Sequence, residues 1–175
     1  MSKPAGLVSA TIVCLAVSVL FSPLRAPAAD AVPGGGPLLS PIFGLPVPDG
    51  YREWPLVAVS HRTDNKDELR AILANPAAYK ALHGGAIPLP DGSILAKLAW
   101  KREPMAEFAG AFRPGVAPRI EFMYKDSKKF PATGGWGFAR FVEGKPADEA
   151  THKSCFPCHE AKVKDRDFVF TRFAP

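Results

Sequence analysis

The sequence predicts an α+β fold: a single domain on a mainly antiparallel β-sheet, with a few packed helices and one more helix near the C-terminus. Three observations lead there. The 175 residues include 19 prolines and 15 glycines, which favours short elements and many turns over a helical bundle. Three segments, Ile94–Trp100, Arg119–Lys125 and Trp136–Val142, read as strands. The stretches between them lack long βαβ crossovers, so antiparallel pairing is favoured. With 47% hydrophobic and 22% charged residues the chain has the balance of a globular protein, not a disordered one. The net charge of +5 is spread without a dense Lys/Arg block, which argues against a nucleic-acid partner.

Taken in order, the chain starts with an address. Lys3 precedes an apolar run from Leu7 to Phe21, and the small residues Ala26-Pro27-Ala28-Ala29 follow. This is the layout of a signal peptide, residues 1–28, cut after Ala28. The competing reading is a retained membrane anchor, but the run is shorter than the ~20 residues a spanning helix needs. The expectation is therefore an exported, periplasmic protein with no stable membrane anchor after cleavage. Cleavage removes Cys14 and leaves Cys155 and Cys158. A disulfide between two cysteines so close would close a tiny loop and stabilise little, so other chemistry is expected of them.

Residues 29–50 form a Pro/Gly-rich arm, read as a mobile linker or irregular segment. The domain proper, 51–175, starts at Tyr51-Arg52-Glu53-Trp54. Leu56–Ser60 reads as a short strand. Asp64–Ala74 reads as a helix: Asp64 is its N-cap, Asp67 and Glu68 suit the first turn, and Leu69, Ile72 and Leu73 form an apolar stripe. Pro76 ends or restarts it, and Ala77–Leu82 is a second short helix before Gly84-Gly85. Pro90-Asp91-Gly92 is a turn. In the strand after it, Ile94, Ala96, Leu98 and Trp100 alternate with Leu95, Lys97 and Ala99, so both faces are apolar except at Lys97. Residues 103–118, with Pro104, Pro114 and Pro118, read as loop. Arg119–Lys125 is a strand with Glu121 and Met123 on one face, and Trp136–Val142 is another. Pro146–Ala161 reads as the last helix, followed by an extended tail, Phe168–Phe173.

That last helix carries Cys155-Phe156-Pro157-Cys158-His159, the Cys-x-x-Cys-His attachment signature of c-type haem. Each thiol can add to one vinyl group of the porphyrin, and the adjacent imidazole can coordinate the iron. Three other readings compete. A structural zinc site needs about four ligands, and only His61, His83 and His152 are to hand. A thioredoxin-like pair calls for a βαβ context, and the short pattern also occurs by chance. The export signal favours haem. Candidates for the sixth iron position are Met105, Met123, His61 and His83, each with an ordinary structural reading as well.

At this point the chain resembles the cytochrome P-460 family, which shares a fold with the cytochromes c′-beta. The resemblance runs over about Tyr51–Pro175. It is carried by Tyr51-Arg52-Glu53-Trp54, Asp91-Gly92-Ser93-Ile94-Leu95-Ala96-Lys97, Lys125-Asp126-Ser127-Lys128-Lys129-Phe130 and Gly135-Trp136-Gly137-Phe138, and by the haem motif followed by Asp167-Phe168-Val169-Phe170-Thr171-Arg172-Phe173. It implies a homodimer, covalently attached haem c held by Cys155 and Cys158, and iron bound by His159. In the enzyme branch a lysine matching Lys97 bonds to the porphyrin edge, and a carboxylate matching Glu121 relays protons. That branch oxidises hydroxylamine at an open iron, passing electrons to a soluble redox partner. The c′-beta branch lacks the cross-link, caps the distal side with aromatic residues, for which Phe108 and Phe112 are candidates here, and binds nitric oxide without turnover. A plain electron carrier is the third possibility. From the residues alone, Lys97 is either a snorkelling lysine or a functional one. Glu121 is either a partner for Arg119, Arg140 or a lysine, or a carboxylate placed for proton transfer. The resemblance favours the functional reading of both, and an oxidoreductase acting on hydroxylamine or a related small nitrogen oxide.

Overall fold

The computed structural model describes residues 37–174. The segment expected to be a signal peptide, Cys14 and the first part of the arm lie outside the described residues. Among the described residues no helix is long and apolar enough to cross a membrane.

The centre is a seven-stranded antiparallel sheet. Its strands are β1 (Leu56–Arg62), β2 (Glu68–Ala74), β3 (Ile94–Pro104), β4 (Phe112–Pro114), β5 (Arg119–Lys125), β6 (Trp136–Val142) and β7 (Lys145–Pro146). The order is β1-β2-β3-β5-β6-β7, with β4 pairing β3. The helices are α1 (Pro76–His83), α2 (Glu149–Lys153) and α3 (Cys155–Val163). The α+β expectation holds, and β5 and β6 have the bounds the alternation predicts.

Three elements differ from expectation. The helix expected over Asp64–Ala74 is instead a hairpin turn followed by β2. Leu69, Ile72 and Leu73 satisfy a helical stripe, but the segment pairs with β1 on one side and β3 on the other. In that setting Glu68 and Ile72 face one side of the sheet and Leu69 and Leu73 the other, so ladder bonds and burial override local propensity. Asp64 caps no helix: its carboxylate pairs with Arg62 and accepts a hydrogen bond from the Lys66 amide at 3.2 Å. The stretch expected as loop over 103–118 holds the end of β3 and all of β4. The single last helix is two, jointed at Ser154. Pro157 has no N–H to give the Lys153 carbonyl, so a continuous helix would lose that bond.

Both faces of the sheet are covered. On one face Ala96, Leu98, Phe122, Ala139 and Phe141 pack with Leu45 and Tyr51. The arm is therefore not a free linker from Ser40 onward. Leu45 is buried, its amide donates to Ser40 Oγ at 3.1 Å, and the Tyr124 hydroxyl donates to the Pro46 carbonyl at 2.8 Å. On the other face Leu95, Trp136 and Phe138 pack with α1 and with Cys155, Phe156, Phe168 and Phe173 of the C-terminal segment. Helix α1 is nucleated by Asn75, whose Oδ1 accepts from the Ala78 amide at 3.0 Å with Pro76 at the first helical position.

His152 bolts α2 to the sheet. It is 1% exposed, and its Nε2 accepts from the Arg140 amide at 3.0 Å. An amide can only donate, so Nδ1 carries the ring hydrogen and donates to the Asp148 carbonyl at 2.8 Å. Truncation in His152→Ala leaves the Arg140 amide without its partner and opens a void. The expected cost is roughly 2–4 kcal/mol, from the orphaned donor plus the cavity. Chemical denaturation checks it: the midpoint falls by the corresponding amount relative to wild type.

Candidate functional site

The register of the sheet builds the site. On the face covered by α1 and the C-terminal helices, Ile72, Lys97, Glu121 and Arg140 stand directly opposite one another across β2, β3, β5 and β6. Two residues along each strand, roughly 7 Å away, Ala74, Leu95, Met123 and Phe138 form the next row. The predicted pair Lys97 and Glu121 is thus brought together, on the same face as the cysteine helix.

These charges form one network. Lys97 Nζ is in an ion pair with Glu121 Oε2, and Glu121 Oε1 meets Arg140 at 2.5 Å and Arg119 at 3.3 Å. Arg119 reaches on to Glu68 at 2.7 and 2.9 Å, and Arg70 meets Glu68 at 3.1 Å. Glu68 is 1% exposed. Burial pushes the Glu121 carboxyl up, but the charges of Lys97 and Arg140 outweigh it and hold its pKa at about 2. Burial likewise opposes ionisation of Glu68, and hydrogen bonds from Arg119 and Arg70 bring it down to about 2. Burial lowers the pKa of the Lys97 ammonium, with Glu121 opposing. Glu68 and Arg70 were not legible as site residues. The misassigned helix hid them, because on a helix both would face solvent.

Cys155 and Cys158 are free thiols on the first turn of α3, Cys155 half-buried and Cys158 exposed. Burial pushes the Cys155 thiol up. His159 follows on the same helix. Its Nδ1 donates to the Phe168 carbonyl at 2.7 Å, which leaves the Nε2 lone pair available. Its ring lies edge-on to Phe138 at 5.0 Å and to Phe170 at 4.9 Å. Burial lowers the pKa of His159, keeping the imidazole in the neutral form that can bind a metal.

The donor set fits a haem. Two unpaired thiols and an oriented imidazole lie on one helix against the sheet. On the sheet face that this helix covers, the buried Nε atoms of Arg70 and Arg140 have no hydrogen-bond partner within the described residues. Among the described residues no three His, Cys, Asp or Glu side chains converge as a metal-ion cluster.

Of the other candidates, all but Met123 sit apart. His61 is on the opposite face, bonded to Asp67 at 2.8 Å. His83 ends α1, packed against Tyr79 and Phe173. Met105 follows β3 at the edge of the hairpin. Met123 lies on the site face and packs against the apolar cluster around Leu95 and Phe138. Phe108 is 68% exposed, and Phe112 carries the Arg102 guanidinium over its ring at 3.8 Å. Neither aromatic belongs to either core cluster.

No curated protein matches this chain. The family model for Cytochrome P460 matches residues 48–171, a span that holds Lys97, Glu121, Cys155, Cys158 and His159. With that match over most of its length, the chain belongs to the cytochrome P460 family of haem proteins.

Proposed function

We propose that the protein is exported to the periplasm, holds haem c through thioethers from Cys155 and Cys158, and oxidises hydroxylamine or a related small nitrogen oxide. His159 binds the iron through Nε2. A soluble redox partner takes the electrons, and the protein works as a homodimer. The observation that carries this reading is the direct cross-strand pairing of Lys97 with Glu121 on the face that His159 packs against.

Bound haem supplies an acceptor for electrons from a nitrogen substrate. The chain supplies the rest. Glu121, ionised at neutral pH, can accept a proton from the substrate's N–H or O–H group. Arg119 and Arg140 hold its carboxylate in place. Burial lowers the pKa of the Lys97 ammonium, which eases the loss of the proton that a bond to the porphyrin edge requires. Leu95, Phe138 and Phe156 form an apolar cluster beside His159 that keeps bulk water from the imidazole. The exposed positions of Phe108 and Phe112 favour the enzyme over a nitric oxide binder capped by those rings.

Peptide mapping by mass spectrometry of the denatured holo-protein tests the cofactor half. Haem is expected on the Cys155–His159 peptide and also on the Lys97 peptide. An unlinked Lys97 would remove the enzyme-type cofactor, and turnover of hydroxylamine with an artificial electron acceptor tests the activity itself.

A further inference from the structure

Two motif residues that carry no role in the site, Lys125 and Asp167, meet at the turn whose next residue, Phe168, bonds His159. Lys125 Nζ donates to Asp167 Oδ1 at 2.5 Å and to the Gly134 carbonyl at 3.1 Å, and lies 4.9 Å from the centre of the Trp136 ring. Both side chains are buried, at 8% and 6% exposure. The other carboxylate oxygen of Asp167 accepts from the Leu89 amide at 2.9 Å. A buried charge pair with this many partners is fixed in place.

Asp167 and the next residue are both in left-handed backbone, with φ of 53° and 61°. Such a conformation is uncommon for a phenylalanine and persists only where its surroundings enforce it. The enforcement is visible at both residues. Asp167 is tied to β5 through Lys125 and to Leu89. The Phe168 amide donates to the Val163 carbonyl at 2.9 Å. The Phe168 ring fills the space that a Cβ at Gly134 would need, and Gly134 itself sits at φ 64°. The product of this strained turn is the position of one atom, the Phe168 carbonyl oxygen, 2.7 Å from His159 Nδ1.

We propose that Lys125 and Asp167 are positioning residues for His159: their buried pair clamps the strained turn so that the Phe168 carbonyl holds Nδ1–H and sets how strongly the imidazole donates to iron. The inference rests on the reading of His159 as the iron ligand. A hydrogen bond to the far nitrogen of a ligating imidazole orients the ring and raises its basicity. A looser turn therefore gives a weaker axial donor, which favours the ferrous iron.

The test is resonance Raman spectroscopy and redox titration of ferrous holo-protein, comparing wild type with Asp167→Asn and Lys125→Met. Asparagine keeps the shape and the left-handed tolerance but drops the charge. Lysine to methionine keeps the apolar stem, and it supplies a second reading should the first variant not fold. Both variants are expected to retain covalent haem, to show the iron–histidine stretch shifted down by several wavenumbers, and to have a raised reduction potential. A pair that only staples the tail would lower the melting temperature and leave band and potential unmoved, which would overturn the inference alone. Absence of an iron–histidine band in the wild type would instead overturn the assignment of His159 and the inference with it.

Discussion

Glu121→Gln is expected to lower kcat for hydroxylamine by about 10²–10⁴-fold, the usual contribution of a positioned general base. Haem content and folding should be unchanged. Glutamine keeps an oxygen acceptor for Arg140 and Arg119 but has no basic carboxylate. The size of the loss depends on how basic Glu121 is in the working protein. Against a charged Lys97 its pKa lies at about 2, which makes a weak base. On the proposed reading, bonding of Lys97 to the porphyrin would remove the ammonium, the leading cause of that depression, and leave burial opposed only by Arg140 and Arg119, so the carboxyl would become more basic. Lys97 and Glu121 are thus coupled: Lys97→Met should also alter the pH dependence of turnover. Steady-state kinetics of both variants at several pH values checks this, and equal rates for wild type and Glu121→Gln would remove the carboxylate from the mechanism.

Glu68→Ala is expected to be strongly destabilising. Glu68 is 1% exposed and answers both Arg119 and Arg70. Its removal leaves the Arg119 guanidinium, whose side chain is 11% exposed, sharing Glu121 with Lys97 and Arg140. Breaking a buried pair in this way costs about 3–5 kcal/mol. That is a large share of the ~5–15 kcal/mol that holds a domain together. Thermal melts should show a loss on the order of 10 °C. The same residue predicts acid behaviour. Its folded pKa of about 2 lies below the ordinary 4.5, so the stability it contributes is fully present above pH 4.5 and fades as pH falls towards 2. Wild type should soften in that window, and Glu68→Gln should flatten that part of the profile. A wild-type melting temperature that does not fall between these values would count against the buried network.

How much was legible depended on whether local pattern and tertiary setting agreed. In β5 and β6 they agreed, since alternation over Arg119–Lys125 and Trp136–Val142 matches two-sided burial in a central sheet. In Glu68–Ala74 they conflicted. Leu69, Ile72 and Leu73 sit at spacings that serve a helix face, and nothing local reveals that β1 and β3 flank the segment. The last helix was legible as helix, but its joint at Ser154 follows from the missing donor of Pro157, a signal present in the sequence and read only as part of the motif. The arm looked free because Pro and Gly dominate it, whereas Leu45 and Phe43 find partners far along the chain.

The sequence by itself pointed to a haem protein, and the family match agrees. Two thiols and an imidazole at Cys-x-x-Cys-His spacing fall within one helical turn, and such a local motif needs no fold to be recognised. It also determined the sheet's strongest strands and the candidacy of Lys97 and Glu121. Only the tertiary structure decided what surrounds them. It set the row of Lys97, Glu121 and Arg140, the buried Glu68 behind it, and the Lys125–Asp167 pair that fixes the Phe168 carbonyl at His159. The physical reason is that these contacts join residues far apart in the chain. Their geometry comes from strand register and from charges that burial forces to find partners, and neither is written in any local window of sequence.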